Sequence, residues 1–109
     1  MKVGMIFECG PDGAGGERGR GRRVKFILSH HAQTEMARRA IPFDLLESVL
    51  QHPQQVVPER SGRKAYQSQL DFGAGKIFLL RAIVDDEVDP AVVVTVYRAS
   101  KIGKYWRAP

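Results

Sequence analysis

The stretch over residues 76–99, KIFLLRAIVDDEVDPAVVVTVYRA, decides the fold of this chain. It contains two apolar runs rich in β-branched residues, 76–84 and 91–98, joined by the acidic loop 85–90. Runs of this kind indicate β-strands. Because a parallel crossover needs a dozen or more residues, the short loop predicts an antiparallel hairpin.

Two helices are predicted upstream of this hairpin. Ser29 is suited to cap a helix that runs to about residue 40, with Ala32, Met36 and Ala40 on its buried stripe. Pro42 suits the first turn of a second helix, which Pro53 ends. The apolar stripe of this second helix is formed by Phe43, Leu46, Val49 and Leu50.

From residue 54 onward the apolar period changes to two. A short strand is predicted around Val56 and Val57, and a more polar strand over residues 63–72. Residues 2–8 offer a further short strand, and residues 24–28 are a short β-like run. We therefore expect an α+β fold in which two N-terminal helices pack on one face of an antiparallel sheet of four or five strands.

Length and charge restrict the function. The 109 residues are enough for one small domain and exclude enzymes that need separate cofactor and substrate domains. The net charge is +5, of which residues 1–25 carry +3, and a basic chain favours a polyanionic partner such as nucleic acid. Residues 1–23 form a predicted flexible leader rich in Gly and Arg, followed by a single domain over residues 24–109.

Cysteine content and hydropathy point to a cytoplasmic protein. Cys9 is the single cysteine, which excludes an intrachain disulfide and a cysteine-rich zinc site. The longest apolar-rich run, 77–84 with Arg81 inside it, is far shorter than the ~20 residues that span a bilayer. We expect no cofactor, no metal site and no membrane partner.

A polar stripe crosses the predicted hairpin. The alternating apolar residues Phe78, Leu80, Ala82 and Val84 on one strand, and Val92, Val94 and Val96 on the other, should face the helices. Arg81, Thr95 and Tyr97 then lie together on the opposite face. Arg81 either pairs with an acid such as Asp71 or Glu59, or forms a phosphate-binding floor to which the neighbouring hydroxyls contribute.

Two further groups of residues are candidates, one for acid–base chemistry and one for contact with nucleic acid. His31 lies one turn before Glu35, which is able to orient the imidazole for acid–base chemistry, although a solvated helix face explains the pair equally well. At the end of the chain, Arg98, Lys101 and Lys104 have no acid among them. Together with nearby Tyr and Trp rings, these cations suit phosphate contact and base stacking; alternatively, the rings pack the last element onto the sheet.

The sequence resembles a known family. The runs SHHAQTEMARRAIPFDLLESVLQHP and VVVTVYRASKIGKYW are similar to the bacterial domain of unknown function 4258 family, which is grouped with RelE/ParE-like toxins. The shared positions are His31, Ala32, Arg39, Ile41, Pro53, Thr95, Val96 and Tyr97. Glu35 and Ala40 depart from the pattern, which has a basic residue and often a glycine there.

The resemblance implies a RelE-like fold and a function. The expected function is the toxin of a toxin–antitoxin pair, a metal-independent endoribonuclease that acts on mRNA, including mRNA on the ribosome, with a cognate antitoxin as partner. Arg81 would stabilise the phosphorane, and Tyr97 or His31 would transfer protons. The RNA-binding residues would be Lys101, Lys104, Arg98 and Thr95. The alternative is a non-catalytic member that binds RNA or protein.

Overall fold

The computed structural model describes residues 5–9 and 24–107, with side chains from residue 26 onward. Its elements in chain order are β1 (Met5–Cys9), β2 (Val24–Leu28), α1 (His30–Arg38), α2 (Phe43–Gln51), β3 (Gln55–Pro58), β4 (Lys64–Asp71), β5 (Ile77–Asp85), β6 (Ala91–Ala99) and α3 (Ile102–Tyr105). A single 3₁₀ turn, Arg60–Gly62, joins β3 to β4.

The first helix begins where the sequence predicts. The Ser29 hydroxyl accepts a hydrogen bond from the backbone N–H of Ala32 at 3.0 Å and donates to the carbonyl of Val94 at 2.9 Å. Ser29 thus caps α1 and also ties the start of the helix to β6. The helix ends at Arg38, so the expected place of Ala40 on its buried stripe is wrong: Ala40 is exposed beyond the helix, in the left-handed region with φ of 53°.

The second helix supplies most of the helical part of the core. Leu46, Val49 and Leu50 are buried, as their spacing predicts, and Phe43 is partly buried against the same cluster. Pro42 is the N-cap of this helix, one position before the first turn in which we expected it.

The sheet has six strands in the order β1-β2-β6-β5-β4-β3, so the expected count of four or five is wrong because both β1 and β2 join the sheet. Consecutive strands from β3 to β6 pair antiparallel, as the short links between them require. However, β2 pairs with β6 in parallel, so the sheet is mixed and the expectation of a purely antiparallel sheet is wrong. The two parallel strands are far apart in sequence, and the length of local links does not constrain their relative direction.

The strand expected at residues 2–8 lies at Met5–Cys9 and pairs with β2 over its whole length. The sheet therefore includes five residues of the segment that we expected to be a leader. The remaining part of that leader, residues 10–23, lies outside the described residues.

A β-bulge shifts the alternation of β6. Val96 opposes Ala82, and Thr95 opposes Ile83, but Val84 opposes Val93 and leaves Val94 as the extra residue. Val93 is consequently buried in the helix-side core, while Val92 and Val94 are not part of it. The expected placement of Val92 and Val94 was wrong because strict alternation does not allow for a bulge.

Both faces of the sheet are covered. The face against α1 and α2, here called the helix face, carries Leu80, Ala82, Val84, Val93 and Val96. The opposite face, here called the second face, also has buried residues, because Leu79 and Ala65 have no exposed surface. Among the described residues, no helix is long and apolar enough to cross a membrane.

Candidate functional site

Four polar side chains form one continuous line across the second face. The register places Gln55 of β3 opposite Gln67 of β4, Gln67 opposite Arg81 of β5, and Arg81 opposite Tyr97 of β6. We call these four residues the polar row. Directly opposed residues on a sheet have side chains close enough to interact, and each neighbouring pair of the row is hydrogen-bonded.

Arg81 is the centre of the row and is almost completely buried, with 4% of its surface exposed. Its Nε donates to Oε1 of Gln67 at 2.7 Å, one terminal nitrogen donates to the Tyr97 hydroxyl, and the other binds Oε2 of Glu59 at 2.9 Å. A buried cation is tolerated only when it is paired and hydrogen-bonded. Glu59 is one of the two acids that the sequence offered as an ion-pair partner.

The other proposed acid, Asp71, lies at the far end of β4 opposite Ile77 and accepts a hydrogen bond from the backbone N–H of Gly73. It therefore caps the turn between β4 and β5. Glu59 was the correct alternative because its carboxylate, just after β3, reaches the Arg81 guanidinium.

The end of the chain covers the polar row. The ring of Tyr105 lies over the guanidinium of Arg81, with 4.5 Å from the guanidinium carbon to the ring centre. The Gln67 amide donates to Oε1 of Gln55 at 2.8 Å and to the carbonyl of Tyr105 at 3.3 Å. Gln55 in turn binds the backbone of Arg107 through both ends of its amide group. The glutamines thus fix residues 101–107, here called the C-terminal segment, over the second face.

Glu59 and Tyr97 both reach solvent. The Glu59 side chain is 34% exposed, and Tyr97 is partly buried. Burial raises the pKa of the Tyr97 phenol above its usual range, although the charge of Arg81 acts in the opposite direction. The phenol is therefore protonated at neutral pH. Since one guanidinium binds both groups, a carboxylate and a neutral phenol lie side by side.

Exposed cations lie on the two segments that contribute Glu59 and Tyr105. Lys101 is the N-cap of α3, and Lys104 lies with its amine 5.4 Å from the centre of the Tyr105 ring. Arg60 and Arg63 flank the turn that follows Glu59. A carboxylate and a phenol together with exposed cations are suited to an anionic substrate whose reaction requires proton transfer.

The structure brings together only some of the site residues that the sequence predicted. Arg81 and Tyr97 are together, and Thr95 lies on the same face, opposite Ile83. In contrast, His31 is exposed on α1, which packs on the helix face, so the sheet separates its imidazole from Arg81.

Arg98 is also on the helix face, because it directly follows Tyr97 in a regular strand and opposes Leu80. The guanidinium of Arg98 lies against Phe72 and Phe78, not in the polar row. Within the described part of the chain, no three His, Cys, Asp or Glu side chains are placed to hold a metal ion.

A family model described as Domain of unknown function (DUF4258) matches residues 28–98 of this chain, well over half of it. The chain belongs to the DUF4258 family. No curated protein and no solved structure matches it. The DUF4258 match runs from the last residue of β2 to Arg98, so it includes the whole polar row and Glu59. Residues 101–107, which cover the row in this DUF4258 protein, follow the matched region.

Sequence reasoning missed Gln55, Gln67 and Tyr105 as members of the DUF4258 site. A usable signal for Gln67 was present: a hairpin centred on Ala74, between Gly73 and Gly75, pairs residue 67 with residue 81. Gln55 and Tyr105 had no such signal, because their positions depend on contacts between β3 and the end of the chain.

Proposed function

We propose that this DUF4258 domain has a RelE/ParE-like fold and is the toxin of a toxin–antitoxin pair, an endoribonuclease that cuts mRNA without a metal ion. The observation that carries the proposal is the Glu59–Tyr97 pair held by Arg81. A base and an acid at adjacent positions are what phosphoryl transfer to a neighbouring 2′-hydroxyl requires.

The chemistry follows from the protonation states of the pair. Glu59 takes the proton of the 2′-hydroxyl while the 2′-oxygen forms a bond to phosphorus. The bond from phosphorus to the 5′-oxygen breaks, and Tyr97 gives its phenol proton to that oxygen. The products are a 2′,3′-cyclic phosphate and a 5′-hydroxyl, and the raised pKa of Tyr97 supports its role as the acid.

Arg81 has a different role from the one that the sequence suggested. Its guanidinium is buried, and each of its three nitrogens already binds a protein group, so Arg81 does not offer an open floor for phosphate. We assign it as a positioning residue that holds Glu59 and Tyr97 in place. Because His31 lies across the sheet, the proposal does not include it in the reaction.

The exposed lysines of the C-terminal segment are suited to bind an RNA substrate. Lys101 and Lys104 are exposed, Lys104 next to the Tyr105 ring, and exposed amines neutralise phosphates without reading sequence. Thr95 shares the face of the pair and offers a hydroxyl to the RNA backbone. The proposal places the protein in the cytoplasm with mRNA as substrate and a cognate antitoxin as its inhibitor.

The test measures cleavage of labelled single-stranded RNA in excess chelator. We expect Glu59→Gln and Tyr97→Phe each to lower the rate by about 10²-fold or more, the usual contribution of one positioned acid or base. The matched controls are Glu87→Gln, an exposed loop carboxylate, and Tyr66→Phe, a partly buried phenol on the helix face. Both controls should retain the wild-type rate within a factor of two, and the product should end in a 2′,3′-cyclic phosphate.

One observation favours a second function. The burial of Arg81 beneath Tyr105 gives the polar row a complete set of internal partners, as in a purely structural network. A domain that binds RNA or protein without catalysing a reaction requires only such a structural network. RNA binding without cleavage would establish that alternative. Cleavage that is unchanged in both Glu59→Gln and Tyr97→Phe would exclude the proposed chemistry.

A further inference from the structure

Arg98 lies on the helix face at the end of the sheet, stacked against two aromatic rings. Its guanidinium carbon is 5.1 Å from the ring centre of Phe72 and 4.7 Å from that of Phe78. The two rings pack edge to face, with their centres 5.4 Å apart. We call Phe72 and Phe78 the phenyl pair. Stacking on such rings orients a planar guanidinium while leaving its N–H groups free to bind other atoms.

Arg98 differs from comparable cations by having no acidic partner. Within residues 26–107, four Lys or Arg residues are buried or partly buried: Arg39, Lys64, Arg81 and Arg98. The first three bind Glu35, Asp86 and Glu59, respectively. Among these described residues, the side chain of Arg98 has neither an ion pair nor a hydrogen bond. A partly buried guanidinium with unused donors is suited to a planar or tetrahedral oxyanion.

The position of Arg98 relates it to the proposed reaction site. Tyr97 and Arg98 are consecutive on β6 and point to opposite faces. The pairing of β2 with β6 ends at Val93, so within the described strands the end of β6 has a strand partner on one side only. An RNA strand on the second face can therefore pass around this end of β6 to the helix face. Lys101 lies two residues after the end of β6.

We propose that Arg98, oriented by the phenyl pair, binds a phosphate of single-stranded RNA on the face opposite the Glu59–Tyr97 pair. This inference rests on the proposed function and extends its substrate path around the end of β6. The bound phosphate belongs to a nucleotide next to the one that reacts. Arg98 therefore contributes to RNA affinity and to the salt dependence of binding, and the chemical step does not depend on it.

The test measures binding of a fluorescent single-stranded RNA whose 2′-positions are methylated, so that it cannot be cut. Arg98→Met keeps an apolar side chain over the phenyl pair but removes the charge and the donors. We expect it to raise Kd about five- to tenfold and to reduce the slope of log K against log salt by ~0.7, the value for one phosphate contact on a single strand. Arg98→Lys should recover the slope but only part of the affinity.

Arg38→Met is the matched control, because Arg38 is an exposed arginine that already binds Glu35. It should leave both Kd and slope unchanged. Thermal unfolding of each variant establishes that it is folded, and Arg98→Lys provides the comparison if Arg98→Met is unstable. Unchanged RNA affinity in folded Arg98→Met and Arg98→Lys would show that Arg98 only packs on the phenyl pair. Wild-type protein that binds no RNA would overturn the proposed function together with this inference.

Discussion

Gln67 and Arg81 oppose each other across β4 and β5, and the Gln67 side-chain carbonyl accepts a hydrogen bond from Nε of Arg81 at 2.7 Å. Gln67 has no exposed surface, and its amide group binds Gln55 and the carbonyl of Tyr105. The same side chain therefore orients the buried cation and holds the segment that covers it. Removing Gln67 should affect both.

Gln67→Leu should lower the free energy of unfolding by about 1–3 kcal/mol, because Nε of Arg81 stays buried without an acceptor. The control is Gln69→Leu. Gln69 is two residues along the same strand and face, and only its backbone groups form hydrogen bonds. Gln69→Leu should lower the free energy of unfolding by less than about 0.5 kcal/mol, as for most surface changes. Equal losses in urea unfolding would show that the hydrogen bond to Arg81 is not what stabilises the row.

The ion pair between Arg81 and Glu59 should be energetically coupled more strongly than an exposed pair. A double-mutant cycle of Arg81→Met and Glu59→Gln should give about 1–3 kcal/mol, because the guanidinium is buried. The same cycle on Arg38→Met and Glu35→Gln should give about 0.2–1 kcal/mol, since Arg38 is 57% exposed. Coupling energies of the same size in both cycles would contradict the role assigned to burial.

Ala40→Gly should stabilise the protein. Ala40 has a φ of 53°, where a Cβ atom is strained and glycine is not. We expect a gain of about 0.5–1 kcal/mol in urea unfolding after the greater freedom of glycine in the unfolded chain is subtracted. Ala37→Gly is the control in the regular part of α1, where the same substitution should cost about 0.5–1 kcal/mol. Two changes of the same sign would refute the strain at Ala40.

Alkaline pH should reveal the buried phenol of Tyr66. Burial raises the pKa of Tyr66 from its usual 10.0 to about 12, and the hydrogen bond that it donates to Asp86 acts in the same direction. The phenol is protonated in both states below pH 10, so its contribution is then complete. Between pH 10 and 12 the unfolded chain releases the proton first, and stability falls.

Urea unfolding at pH 9 and pH 11 measures this loss. The wild type should lose on the order of 1 kcal/mol more than Tyr66→Phe between these values, after allowance for solvent screening of a partly exposed group. Tyr97 also has a raised pKa and contributes its own loss to both proteins, so the difference between them isolates Tyr66. Parallel curves for the two proteins would contradict the pKa of about 12.

Local pattern was enough to predict most of the elements. The Ser29 cap, the buried stripe of α2 and the four strands β3 to β6 lie within one or two residues of their predicted positions. Each depends on a period of 3.6 or 2 and on turn residues a few positions away. The same alternation placed Arg81, Thr95 and Tyr97 on one face of the sheet, as the structure has them.

Contacts between distant segments decided the rest. The parallel pairing of β2 with β6, the bulge at Val94 and the cover that Tyr105 forms over Arg81 join residues that no local period relates. The sequence by itself thus determined that Arg81 lies on an otherwise apolar strand. It also determined which face of the sheet Arg81 takes, because side chains alternate between the two faces along a strand. Only the tertiary structure decided that Arg81 is buried with Gln67 and Glu59, because the cost of burying a charge depends on the partners that folding brings to it.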